Sequence, residues 1–339
     1  METNAKLFFK QNEFLETNFM KSFIKDIDRD ITIIHHNDLD GICSAVLMNL
    51  YLTYGLSMNP NKIHFISYCY DKDFDFNKYL EEYNSDFVFI LDLSLKLNQY
   101  LTIKSVTHNR QILLIDHHIT TISDLNKHKD QYLAMNCLET YVDTNGCGTM
   151  NVYRLIKNEY IYKDRVMLQE VINPTSIKLV DTYDRWIENE NKFKADCINQ
   201  YFYSSNQLFV ESEEIEKFLL TYDYNELNKI YNIGKSFIEK NRELNELRYK
   251  YFHKDIKFKT KDDTEFNICV LWGSGNSQVF GDHIADYDFV VLARKEKVGY
   301  SYSLYTIKEN INVAVIAQMY GGGGHPKASG FSTLENIFK

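Results

Sequence analysis

The stretch IIHHNDLDGICSA, residues 33–45, loads two histidines, an asparagine and two aspartates onto the end of a β-branched run. If the segment stays extended, alternate residues share one side, so His36, Asp38 and Asp40 present one imidazole and two carboxylates to a single point. His35 has the opposite parity and is turned away. Hard oxygen ligands with an imidazole suit Mn2+ or Mg2+, and also Zn2+ or Fe2+, better than a soft-metal site does. Two later runs end in the same way: FVFILDLS carries Asp92, and QILLIDHH carries Asp116, His117 and His118. A single aspartate after a strand is ordinarily a helix cap. Three loaded ends, in a fold that lines such ends up, call for another cause. Carboxylates crowded together raise each other's pKa and resist joint ionisation without a cation. Two divalent ions roughly 3.5–4 Å apart would resolve the conflict, sharing a bridging carboxylate, activating a water and clamping the oxygens of an in-line phosphoryl displacement. The residues on their own point to metal-assisted phosphoester hydrolysis.

Such ends meet only if the runs are neighbouring strands. ITII, HFISYCY, FVFIL and QILLI are short and rich in β-branched or aromatic residues, and helix-like ICSAVLMNLYLTYGL, FNKYLEEY and LNQYLTIKSV lie among them. The alternation predicts βαβ units, hence an α/β domain around a parallel sheet that gathers ligands at the carboxyl ends of its strands. TMNVYRLIKNEY and RVMLQEVINPTSIKLVDTYDRW then show helical spacing, which completes a catalytic domain over residues 1–210. Residues 211–254 read as a charged, partly amphipathic helical linker. Over 255–339, FNICVLWGS, VFGDHIAD, DFVVLARKEKVGYSYSLYT and NVAVIAQMY predict a strand, a short helix, a hairpin and a second helix of a smaller α/β domain. Its closing GGGGHPKASGF ends a helix and frees backbone amides to approach a phosphate, with His325 at the tip of the loop. The active site is expected in the cleft between the two domains.

Composition narrows the partners. The 339 residues suffice for two domains, and 44% hydrophobic with 25% charged residues is ordinary globular composition. Lys plus Arg number 38 against 47 Asp plus Glu, a formal charge of -9, which is a poor footprint for tracking along extended DNA or RNA and favours a short phosphorylated substrate. Six scattered cysteines without a CxxC pair fit reduced thiols rather than structural zinc. The start METNAKLFFKQNEF lacks the pattern of a signal peptide, and no run approaches the roughly 18 apolar residues of a membrane span, so a cytoplasmic protein without membrane contact is expected.

HNDLDGICSA, LDLS, IDHH and LVDTYDRW resemble the four ordered motifs of the DHH phosphoesterase superfamily, and GGGGHPKASGF is similar to the signature of its DHH-associated C-terminal domain. The branch most resembled is the short two-domain one of oligoribonucleases (nano-RNases) and nucleotide phosphodiesterases. The resemblance implies two divalent ions, Mn2+ with Mg2+ as the alternative. It implies that His36 and Asp38 hold one ion, that Asp40 and His117 hold the other, and that Asp92 bridges them. His118 would face the substrate phosphate, and Asp116 would orient a neighbouring histidine. In the fourth motif Asp181 is the closer match for the last ligand, with Asp184 as the competing acid. Gly322, Gly323, Gly324 and His325 would meet the substrate phosphate, with Lys327 adding charge. One departure stands out: SLYT places Tyr305 where the family has arginine in an SLRS-like strand, and tyrosine can stack or donate one hydrogen bond but cannot clamp phosphate. Arg294 on the adjacent strand is the candidate to compensate.

The function expected is hydrolysis of short oligoribonucleotides or linear dinucleotides to nucleoside monophosphates. The same centre would serve a 3′,5′-bisphosphonucleotide phosphatase or a cyclic-nucleotide phosphodiesterase. A nucleotide-binding sensor without turnover is the non-catalytic alternative, although every matched metal position keeps a side chain able to ligate. A homodimer formed through the long helix or a sheet edge is the partner expectation beyond substrate.

Overall fold

The β-branched run ahead of His36 forms strand β1 (Ile31–His36), buried along nearly its whole length as a central parallel strand must be. β2 (Ile63–Tyr68), β3 (Phe87–Leu91), β4 (Gln111–Asp116) and β5 (Leu138–Val142) join it in a five-stranded parallel sheet of order β2-β1-β3-β4-β5. The computed structural model describes residues 29–338 except 71–73, 84, 107–110, 136, 164–170 and 221–222. Strand parity divides the core. Ile31, Ile33, Phe89, Leu113 and Ile115 pack on one face, while Ile34, Val88, Ile90, Ile112 and Leu114 pack on the other. Each such side chain taken out of water contributes about 1.5–3 kcal/mol, so slipping the register by one residue would cost the sheet both faces.

Helices α1 (Leu39–Leu50), α2 (Phe76–Tyr83), α3 (Leu97–Val106), α4 (Ile119–Lys127), α5 (Lys129–Met135) and α6 (Gly148–Lys163) connect and follow these strands. They are succeeded by α7 (Pro174–Asp184), α8 (Lys192–Ser204), α9 (Glu213–Leu220) and the long α10 (Tyr224–Phe252). With this strand order the chain switches direction between β1 and β3, the place where open α/β sheets leave a crevice for ligands. His36 ends β1, and Asp92 follows β3. Part of the helical stretch expected from 165 lies outside the described residues.

The chain divides into two compact bodies after Lys235, inside α10. The linker expected from 211 is therefore not free-standing: Ile215, Phe218 and Leu219 of α9 and Leu227 and Ile230 of α10 belong to the first body's core. β5 is an addition to the expected strands.

The second body is built on a mixed six-stranded sheet. Its strands are β6 (Lys254–Lys259), β7 (Glu265–Trp272), β8 (Phe289–Lys295), β9 (Tyr300–Tyr305), β10 (Gly323–Gly324) and β11 (Ala328–Thr333). β7 and β8 run parallel, and the other pairs are antiparallel. Helix α11 (Val313–Met319) buries Val313, Ile316 and Ala317 against this sheet. The short helix expected at VFGDHIAD is a 3-10 segment, Ser277–Asp286, broken at Gly281 with φ 53°. Among the described residues no helix is long and apolar enough to cross a membrane.

Candidate metal centre

β1 stops at His36, and the chain turns at once into α1, with Asp38 as its cap: Asp38 Oδ1 accepts the Gly41 N–H at 2.9 Å. The extended run expected through Asp40 is thus corrected. Asp40 reaches the site from the first turn of α1, because capping that helix gains a hydrogen bond that an extended chain would forgo. Gly41 permits the tight turn, since a Cβ there would lie 2.4 Å from the His36 carbonyl oxygen. His35 is buried with its Nδ1 2.7 Å from that same oxygen, away from the ligands.

Asp92 stands at the middle of the site, immediately after β3. Its Oδ1 is 3.0 Å from His117 Nε2 and 3.9 Å from His118 Nδ1, while its Oδ2 is 3.8 Å from His36 Nδ1. His36 Nδ1 is in turn 2.8 Å from Asp38 Oδ2. His117 Nε2 lies 3.7 Å from Asp40 Oδ2 and 3.5 Å from Asp184 Oδ2. Among the ligand groups of the described residues are His36 with Asp38 and Asp92, and Asp40 with His117 and Asp184, each with its ligand atoms within 4.8 Å of one another. Asp92 offers one oxygen toward each.

Asp184, rather than Asp181, is the acid that α7 brings to this cluster. Asp181 is occupied elsewhere: Oδ1 accepts Cys147 N–H at 2.7 Å and Arg185 Nε–H at 2.8 Å, and Oδ2 accepts Arg185 Nη2–H at 3.2 Å. Arg185 also donates to the Thr144 carbonyl at 3.0 Å. Next along the chain, the Gly148 and Thr149 amides each donate to the Asp40 carboxylate at 2.7 Å. Two aspartates therefore satisfy three successive N–H groups at the start of α6, where the helix dipole also favours negative charge. The Asp181 preference fails on geometry, because its carboxylate is committed to the helix start and to Arg185.

Asp116 serves His118. Its Oδ1 is 2.7 Å from His118 Nδ1, and its Oδ2 accepts from Thr121 Oγ1. This fixes the ring orientation and leaves Nε2 as the remaining ring nitrogen.

The charges show the strain of the arrangement. Burial pushes the Asp92 carboxyl well above the usual range, and Asp40, Asp38, Asp184 and Asp116 push it further. Asp184 is raised likewise, by burial first and then by Asp40, Asp38 and Asp181. Burial also opposes charge on Asp38 and Asp116, but His36 and His118 respectively hold them below the usual carboxylate range. Burial works against a protonated His36, yet the Asp38 carboxylate outweighs it and lifts the ring to about 10. His118 is raised by Asp116 against the same opposition. Carboxylates that cannot all ionise together, interleaved with imidazoles, make an oxygen-and-nitrogen donor set that fits divalent cations.

In the second body the Gly-rich segment has architectural duties first. The Gly321 and Gly322 amides donate to the Gln318 and Ala317 carbonyls and close α11, while Gly323 and Gly324 pair with Gly330 and Ser329. His325 begins the turn into β11, its N–H donating to the Ala328 carbonyl at 2.7 Å. Lys327 Nζ is tied to Glu309 Oε1 at 2.9 Å and to the Ile307 carbonyl at 3.2 Å. Tyr305 pairs with Ala328 beside this turn. Arg294 does not: it pairs with Ser301, whereas Tyr305 pairs with Val290. Four strand positions separate them, about 13 Å, so Arg294 cannot stand in at the Tyr305 position.

Several residues that build the centre escaped sequence reasoning. Gly148 is one: a Cβ there would lie 2.8 Å from Asp92 Cβ and 3.0 Å from Asp40 Oδ2. Thr149 and Tyr70 are others, the last with its ring 5.4 Å from that of His36. The signal that could have found Gly148 and Thr149 is TNGCGT, turn residues ahead of a helical run, since a helix start is where anionic groups gather.

Residues 30–180 match the DHH family, N-terminal domain. The matched segment holds the parallel sheet and its loaded strand ends, so the DHH likeness lies in the first body. It is 24% identical over 323 residues to oligoribonuclease NrnB of Bacillus subtilis (strain 168), covering 90% of this chain and 73% of that protein. The DHH domain of a member of a family of ribosomal proteins superposes with a TM-score of 0.59 at 15% identity, covering 92% of this chain and 84% of that one. RecJ from Thermus thermophilus, solved in complex with Mn2+, gives 0.53 at 12% identity, covering 93% of this chain and 51% of that one. The two solved structures establish the fold.

Proposed function

We propose that the protein is a divalent-metal-dependent phosphodiesterase that hydrolyses short oligoribonucleotides or linear dinucleotides to nucleoside monophosphates. The observation that carries this reading is Asp92, whose two carboxylate oxygens face two separate ligand groups at the switch point of the sheet. His36 and Asp38 would hold one cation, Asp40, His117 and Asp184 the other, and Asp92 both. Bound there, a divalent pair supplies a nucleophile at neutral pH and neutralises charge on the phosphoryl oxygens. His118, steered by Asp116, is the side chain we assign to the substrate phosphate, and His325 is its counterpart in the second body. The likeness to oligoribonuclease NrnB and the acidic overall charge both favour short RNA as substrate.

Labelled oligoribonucleotides of graded length, incubated with Mn2+ beside an Asp92→Ala variant, test this. The expected result is nucleoside monophosphate from the shortest substrates, abolished by a chelator and by the substitution. An absence of metal-dependent hydrolysis of any dinucleotide, 3′,5′-bisphosphonucleotide or cyclic nucleotide would overturn it.

A further inference from the structure

We propose that Tyr70 is a positioning residue for Asp92, an inference that rests on the metal-centre reading above. Asp92 is held at φ 56°, in the left-handed backbone region that residues other than glycine seldom adopt. Such a residue persists only where its surroundings over-determine it. Here they do so on both sides of the strained position. The Asp92 N–H donates to the Ile115 carbonyl at 2.9 Å. Two residues on, the Ser94 N–H donates to Tyr70 Oη at 2.9 Å, and Ser94 Oγ lies 2.7 Å from Thr120 Oγ1 in a buried pair.

The chain from Tyr70 through Ser94 to Thr120 ties the segment after β2, the turn after β3 and the first turn of α4 into one unit. The turn after β3 carries the bridging carboxylate, and α4 starts directly behind His117 and His118. Tyr70 is itself at φ 49°, and its ring rests against both His36, 5.4 Å away, and Tyr68, 5.6 Å away. One side chain thus touches a ligand of the first group with its ring and braces the bridging carboxylate's turn with its hydroxyl. Tyr70 lies in none of the motifs that mark the site in the sequence. A solvated turn would satisfy the Ser94 amide without a tyrosine; a hydroxyl brought from another strand end does so at a fixed position.

Tyr70→Phe keeps the ring and removes the hydroxyl. In chelator-treated protein, hydrogen exchange of the peptide spanning Asp92 and Ser94 should quicken several-fold, with the rest of the sheet unchanged. Mn2+ affinity should fall about tenfold, at the lower end of what loss of an outer support costs a metal site. kcat on a dinucleotide should fall in proportion, with KM unchanged and Tm within a few degrees of wild type. Thr120→Val, which cuts the chain at its other end, should move exchange and affinity in the same direction. Wild-type exchange and wild-type Mn2+ affinity in Tyr70→Phe would overturn the proposal, as would a loss of affinity accompanied by faster exchange across the whole sheet. A wild-type protein that binds no Mn2+ would instead overturn the metal-centre reading, and this inference with it.

Discussion

Asp184→Asn and Asp181→Asn form a matched pair of perturbations, three positions apart on α7, with opposite expected consequences. Asparagine keeps the shape of either side chain and removes its charge. At Asp184, whose Oδ2 lies 3.5 Å from His117 Nε2 and whose side chain is only 15% exposed, the loss is a charged ligand. A carboxylate and a divalent cation attract by several kcal/mol at an effective dielectric of about 20, and desolvation offsets much of it. A net loss of about 3 kcal/mol is roughly a hundredfold in affinity. Stability should not suffer in the chelator-treated protein, because burial and the neighbouring Asp40 and Asp38 already oppose the charge being removed. At Asp181 the loss is structural. Its carboxylate accepts from the Cys147 amide and twice from Arg185, and asparagine would turn an NH2 donor toward one of those donors. Weakening these charge-assisted bonds costs about 1.5–3 kcal/mol, or a Tm lowered by roughly 5 °C. Mn2+ affinity should stay within tenfold of wild type. Isothermal titration with Mn2+ and scanning calorimetry in chelator measure both quantities. The reasoning is refuted if Asp181→Asn loses a hundredfold in affinity while Asp184→Asn binds like wild type.

Further outcomes follow from the same geometry. His36 is raised from its ordinary 6.5 to about 10, so its contribution to stability is full below pH 6.5 and is lost as pH rises through about 10; the Tm of chelator-treated protein should decline across that window. Because ligation requires a neutral ring and ionised carboxylates, Mn2+ binding near pH 7.5 should release at least one proton, from His36 and from the raised Asp92 and Asp184 carboxyls, read by calorimetry in buffers of differing ionisation enthalpy; binding without proton release would contradict it. Gly148→Ala places a methyl 2.8 Å from Asp92 Cβ and 3.0 Å from Asp40 Oδ2, an overpacking worth about 1–3 kcal/mol. Both Tm and Mn2+ affinity should fall, and wild-type affinity would show that the two carboxylates tolerate displacement.

The parts of the site legible in the sequence are those set by local pattern. His36, Asp92 and His117 follow uninterrupted apolar runs, and a parallel sheet brings such run ends together whatever the loops do. Asp40 was found for an incomplete reason: it stands at the site, but by way of a helix that Asp38 caps. The choice between Asp181 and Asp184 was not legible, because residues three apart share a helix face. What separates them is non-local, the amide of Cys147 and the guanidinium of Arg185 claiming Asp181. Gly148 is silent for the same reason, since the Asp92 and Asp40 side chains that exclude a Cβ lie far from it in sequence. β5 escaped notice because LETYV is short and carries Glu139 next to its start. In the second body, pairing register rather than strand adjacency decides that Arg294 stands away from Tyr305.

Whether Asp92 bridges two cations is most directly read from anomalous diffraction of crystals soaked in Mn2+. Two manganese peaks are expected, about 3.5–4 Å apart, one beside His36 and Asp38, the other beside Asp40, His117 and Asp184, with an Asp92 oxygen on each. A single peak, or two peaks that leave Asp92 unligated, would contradict the assignment.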